Sequence, residues 1–133
     1  MGSVLNGVLA LMVVTLTQPG GESGAAPRKV RLAEKRNMTV RLSVPAGGAV
    51  RFYTNQPNKG DALGLRLAVN GRAARPVKIE SFGKGTVGYT FKARRPGKYR
   101  LAMTRVLSNV PPPNEQETEL GRATTTVILT VKR

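Results

Sequence analysis

Along most of this chain apolar and polar side chains take turns. From Met38 to Val44 the apolar Met38, Val40, Leu42 and Val44 alternate with Thr39, Arg41 and Ser43, the period-two pattern of a strand with one dry face and one wet face. Pro45-Ala46-Gly47-Gly48 follows, a run suited to a turn because proline and glycine supply the dihedrals that turns need. Val50 and Phe52 resume the alternation. Beyond the polar stretch Thr54–Asp61 it returns at Leu63, Leu65, Leu67 and Val69, and Asn70-Gly71 then gives the strongest short hairpin signal. Further strands are predicted over Val77–Glu80, over Thr86–Lys92 with Val87, Tyr89 and Phe91 on one face, and over Lys98–Leu107 with Tyr99, Leu101 and Met103. Arg94-Arg95-Pro96-Gly97 joins the last two. A final strand over Thr124–Lys132 places Val127, Leu129 and Val131 inward beneath an outer row of Thr126, Ile128 and Thr130. Arg31–Arg36 reads as an extended lead-in, and no segment carries a helical period. About seven short strands, with turn signals roughly every 8 to 12 residues, predict an all-β fold: a single antiparallel β-sandwich, immunoglobulin-like or jelly-roll-like.

The composition changes at Pro27. Residues 1–27 contain one charged side chain, Glu22, and no Lys or Arg, whereas the rest of the chain is strongly basic. Within them Val4–Leu16 is an apolar run marked by Val4, Leu5, Val8, Leu9, Leu11, Val13 and Leu16. It is too short for a membrane-spanning helix and has the length of a signal-peptide core, with Ser23 and Ala25 placed as the small residues of a cleavage site before Ala26. The basic residues that normally open such a leader are missing. The alternative is an apolar N-terminal arm with a strand over Leu9–Thr17, turned at Gln18-Pro19-Gly20-Gly21 and covered by a neighbour. Either way residues 1–27 stand apart from one domain, residues 28–133, a length that supports a single hydrophobic core.

Charge and composition narrow the chemistry. The chain has 133 residues, 22 Lys+Arg against 7 Asp+Glu, a net charge of +15, no cysteine and no histidine. Disulfides, thiolate nucleophiles, Cys/His zinc sites and histidine-based catalytic pairs are thereby excluded. The one acidic cluster, Glu115, Glu117 and Glu119, sits in the proline-rich stretch Ser108–Arg122 and reads as a solvated loop, since hard-cation sites also recruit other oxygen donors. Glu80 is isolated, which leaves no paired-carboxylate mechanism. Ser81-Phe82-Gly83-Lys84-Gly85-Thr86 lacks the spacing and the following helix of a phosphate-binding loop and reads as a hairpin loop. Asn37-Met38-Thr39 is a glycosylation sequon, meaningful only in a eukaryotic secretory pathway. No catalytic residue, cofactor site, metal site or small-molecule substrate is expected.

What remains is the positive surface. Arg41, Arg51, Arg66, Arg100 and Arg105 are read as outward bases that form one stripe wherever their strands are neighbours. The aromatic residues are expected in the core, Tyr53 and Phe82 excepted, so the stripe lacks interleaved stacking rings and acts by electrostatic attraction. An acidic protein surface or a polyanion is the implied partner.

Three pieces also resemble the bacterial pre-peptidase C-terminal type of β-sandwich: Val44-Pro45-Ala46-Gly47-Gly48, Gly60-Asp61-Ala62-Leu63-Gly64-Leu65 and Pro96-Gly97-Lys98-Tyr99-Arg100-Leu101. The resemblance spans about Met38–Met103 and implies a secreted sandwich module. Members of that family often carry a second acidic residue where this chain has Leu63, so no cation role follows for Asp61. Two functional expectations result. The first is a non-catalytic, exported module of the cell envelope or extracellular space that binds or assembles through its basic surface. The second is a structural protein of a virion or other large assembly, such as a capsid decoration, in which the apolar arm packs against a neighbour in a homo- or hetero-oligomer.

Overall fold

Strands with one apolar face are stable in water only if another layer covers that face, and here two sheets cover each other. The computed structural model of the chain describes residues 26–109 and 118–133, together with the backbone of Gly7, Val8, Ala10 and Leu11. Those four form a two-residue ladder, β1 (Gly7–Val8) with β2 (Ala10–Leu11). Val4, Leu5, Leu9, Val13 and Leu16 lie outside the described residues.

The sandwich is built from β3 (Arg28–Arg31), β4 (Met38–Pro45), β5 (Ala49–Asn55), β6 (Asp61–Val69), β7 (Arg75–Pro76), β8 (Glu80–Gly83), β9 (Thr86–Lys92), β10 (Gly97–Asn109) and β11 (Thr118–Lys132). One sheet has the order β4-β11-β10-β6-β7 and the other the order β3-β5-β9-β8. Most neighbours are antiparallel. The edge strands β4 and β3 instead run parallel to β11 and β5, and β4 is reached by a crossing from β3 in the opposite sheet. No helix occurs among the described residues.

Alternation decides what is buried. Val50 and Phe52 on β5 face Leu101 and Met103 on β10 and Val127 and Leu129 on β11, all of them fully buried. Leu32 closes one end of this core, and its amide donates to the carbonyl of Tyr53 at 2.8 Å. The next amide, Ala33, donates to the buried hydroxyl of Thr125 at 2.8 Å, so the chain between β3 and β4 is tied to the opposite sheet. The turn after β4 makes a second tie, since Ala46 donates to the Lys132 carbonyl and Gly47 to the Ala93 carbonyl, both at 2.8 Å. Phe91 on β9 and Tyr99 on β10 meet edge to face at 6.0 Å between centroids, an arrangement aromatic pairs prefer.

Two sequence expectations change. Val77–Glu80 is not one strand: β7 ends at Pro76 and β8 begins at Glu80, because the chain crosses here from the five-stranded to the four-stranded sheet. Val77 and Ile79 still pack on the core during that crossing, which explains why their pattern imitates a strand. The stretch Ser108–Arg122 is not all loop either, since β10 runs to Asn109 and β11 starts at Thr118. The hairpin at Asn70-Gly71 forms as the dipeptide predicts. Both residues have positive φ, 54° and 80°, and Arg72 donates to the Val69 carbonyl at 3.1 Å, the geometry of a type I′ turn.

Gly88 on β9 has no room for a side chain, because a Cβ there would collide with the backbone carbonyl of Phe52. Gly64 on β6 meets nothing nearer than the Val106 carbonyl at 4.0 Å. Gly88→Ala is therefore expected to destabilise the fold by about 1–3 kcal/mol, whereas Gly64→Ala leaves stability unchanged or raises it by up to about 1 kcal/mol. Urea denaturation of the two variants checks this, and equal effects would contradict the packing described.

Candidate functional site

A strand on the surface of a sandwich offers every second side chain to solvent, and the register across β4, β11 and β10 sets those side chains in rows. Arg41 stands opposite Ile128, which stands opposite Arg100; in the next row Ser43 stands opposite Thr130, which stands opposite Lys98. Strand spacing puts the outer members of a row roughly 10 Å apart and successive rows roughly 7 Å apart. Cations thus occupy three corners of a small rectangle. Its fourth corner belongs to Ser43, and here Arg28 reaches over from β3 of the other sheet, its Nη1 donating to the Ser43 carbonyl at 3.3 Å. That contact also covers a carbonyl on the free edge of β4, where exposed backbone invites pairing with another chain.

The result is an open depression of about 400 Å³ walled by Arg28, Arg41 and Lys98 and floored by Ser43, Ile128 and Thr130. Among the described residues none of its cations, nor Arg100 beside it, has an ion-pair partner. Arg66 lies on the same outer face, opposite Thr104, with its Nη2 donating to the Ala74 carbonyl at 3.2 Å.

The five arginines singled out in the sequence do not form one stripe. Arg41, Arg66 and Arg100 share the outer face of the five-stranded sheet. Arg51 stands on the outer face of the other sheet, because its neighbours Val50 and Phe52 fill the core. Its guanidinium lies 4.4 Å above the Phe82 ring, and Arg31 lies 5.6 Å above the Tyr53 ring on the same face. Stacking of this kind holds a guanidinium by the ring's negative face, and Arg51 depends on it, since its Nε is buried without a hydrogen-bond partner. Lys29 sits directly opposite Arg51 in the ladder, a like-charge pair that weakens the pairing.

Arg105 is the correction. It is only 7% exposed and points between the sheets, where its Nε donates to the Thr54 hydroxyl on β5 at 3.1 Å. Alternation requires this: Leu101, Met103 and Arg105 occupy one face of β10, so Arg100 and Arg105, an odd number of positions apart, cannot share a face. Arg105 therefore belongs to the interior and not to the basic surface. Conversely, Arg28 and Lys98 join the surface although sequence reading left them out. Lys98 follows from its period with Arg100; Arg28 has no such signal, because its place depends on how β3 docks beside β4.

The remaining candidates have ordinary environments. Ser81–Thr86 is a tight hairpin, with the Thr86 hydroxyl donating to the Gly83 carbonyl at 2.6 Å. Asp61 accepts from the Asn109 amide at 3.2 Å. Glu119 is the second residue of β11 and pairs with Arg122 at 2.9 Å; the hydrogen bond from Arg122 holds its carboxyl below the usual range, although the pair is exposed and adds little to stability. Glu115 and Glu117 lie outside the described residues. Asn37 accepts the Thr124 amide on its Oδ1 at 2.8 Å.

No protein-family model matches the sequence, and no curated protein is similar to it. Among solved structures the chain is similar to PbICP-C, determined in complex with falcipain-2, at 13% identity and a TM-score of 0.48 over 79% of this chain and 99% of that one. It is similar to the M1 domain of titin at 14% identity and a TM-score of 0.37, covering 76% and 94% of the two chains. The cysteine protease inhibitor EhICP2 from Entamoeba histolytica gives 11% identity and a TM-score of 0.38 over 78% and 99%. Likeness at this level carries no function to this chain.

Thr54→Val is expected to destabilise the protein by about 1–3 kcal/mol, since it strands the Arg105 Nε in the interior. Arg105→Met removes the charge and leaves only the neutral Thr54 hydroxyl without its partner, so it costs less. Denaturation midpoints of the two variants decide the matter, and a larger loss for Arg105→Met would mean that the arginine itself holds the sheets together.

Proposed function

We propose that this chain is a non-catalytic, exported β-sandwich module that binds an acidic partner through the bases on its outer faces. One observation carries the reading: of 22 Lys and Arg side chains, only Arg31 and Arg122 have an ion-pair partner among the described residues. Unneutralised charge at this density repels itself and weakens the folded state. A partner that supplies negative charge relieves that repulsion. The rigid sheets fix the positions of Arg41, Lys98 and Arg100, so part of the entropy cost of ordering a binding surface is met on folding. Export is supported by the leader-like run Val4–Leu16 and the small residues Ser23 and Ala25.

The test is affinity for heparin, duplex DNA and vesicles of acidic lipid as a function of salt. Binding to at least one of them at low salt is expected, with log K falling linearly against log salt as counterions are released. A protein that binds none of the three at about 10 mM salt, where screening is weak (Debye length about 30 Å), would overturn the proposal.

A further inference from the structure

The depression walled by Arg28, Arg41 and Lys98 is more specific than general basicity requires. Three cations from three strands, β3, β4 and β10, converge on one place, and two hydroxyl-bearing residues, Ser43 and Thr130, form its floor. Like charges brought together without a carboxylate repel one another, so the arrangement is stabilised by an anion placed between them. Guanidinium groups match the oxygens of a tetrahedral oxyanion by paired donors, and the lysine adds a point charge. The floor also restricts what carries that oxyanion. Ile128 is part of that floor and no aromatic ring lines it; of the partly exposed rings, Tyr53 and Phe82 lie on the other sheet beneath Arg31 and Arg51, and Tyr89, Phe91 and Tyr99 turn inward and pack against the core. A nucleic-acid strand held by stacked bases finds no platform here, whereas a sugar ring rests on the aliphatic floor and meets the hydroxyls. The next cation along β10, Arg100, is roughly 7 Å from Lys98, and Arg66 continues the line on β6 toward the far end of the sheet. This is a track for a linear, repeatedly charged chain.

We infer that this depression is the seat for one sulfate group of an acidic polysaccharide, with Arg100 and Arg66 engaging groups further along the same chain. The inference rests on the binding reading above and locates it on one face.

The test compares two double variants of the full chain. Arg41→Gln with Lys98→Gln empties the seat, and Lys29→Gln with Lys92→Gln removes the same charge from exposed positions on the other sheet. Heparin affinity is expected to fall about tenfold or more for the first pair and less than about threefold for the second. Inorganic sulfate is expected to shift the backbone amide resonances of Ser43 and Thr130 in the wild type and not in the first pair. Equal losses for the two pairs would overturn the seat and leave the binding proposal standing. Tighter binding to single-stranded DNA than to heparin at the same salt would overturn the choice of polysaccharide. Absence of heparin binding by the wild type would remove the inference, and the proposal falls with it only if DNA and acidic vesicles are not bound either.

Discussion

Everything in this molecule depends on two rows of side chains meeting across a dry gap. Val50 and Phe52 come from one sheet, and Leu101, Met103, Val127 and Leu129 from the other, all fully buried. The chain has no cysteine, so covalent staples contribute nothing and burial of apolar surface must offset the entropy of ordering. The β10–β11 hairpin is the spine: β11 pairs with β4 on one side, β10 with β6 on the other, and both turn their inner faces to Phe52. Because each strand gives every second residue to this interior, the intervening residues are committed to the outer faces. The positive surface is thus a geometric consequence of the core, and Arg105 is the only Lys or Arg among the buried residues.

The two outer faces handle that charge differently. On the four-stranded sheet the guanidiniums of Arg31 and Arg51 lie over the Tyr53 and Phe82 rings, which ties up their faces in contacts within the protein. On the five-stranded sheet the background is threonine and Ile128, and the hydroxyls of Thr104 and Thr124 bond each other at 2.9 Å. There Arg41, Lys98 and Arg100 stand clear of both rings and carboxylates among the described residues. The second face is consequently the one whose arginines Arg41 and Arg100 have both their planar faces and their donors open to a ligand.

Much of the fold was legible because period two is a local signal. Met38–Val44, Leu63–Val69 and Thr86–Lys92 became β4, β6 and β9 nearly as predicted, Thr124–Lys132 became the second half of β11, and Asn70-Gly71 formed its turn. The strand β3 escaped because Arg28–Arg31 holds one apolar residue, Val30, too little for a pattern; it is a strand only because β5 lies alongside. Val77 and Ile79 misled for the opposite reason, since alternate burial persists through a crossing that keeps one ladder bond, from the Val77 amide to the Leu65 carbonyl at 3.0 Å, and no strand of its own. Parallel docking of β4 on β11 joins residues far apart in sequence, and nothing local records it. The candidate site divides likewise: Arg41 and Arg100 were readable from alternation, Arg105 was misplaced by neglect of it, and Arg28 depends on long-range docking.

Hydrogen exchange measured amide by amide probes this shared interior, because opening it should require global unfolding. The account predicts that the amides of Leu101, Met103, Val127 and Leu129 are the slowest to exchange and share one free energy of opening, while those of edge strands β3 and β8 exchange sooner. Rapid exchange along β10 and β11, or protection no greater there than at the edges, would contradict it.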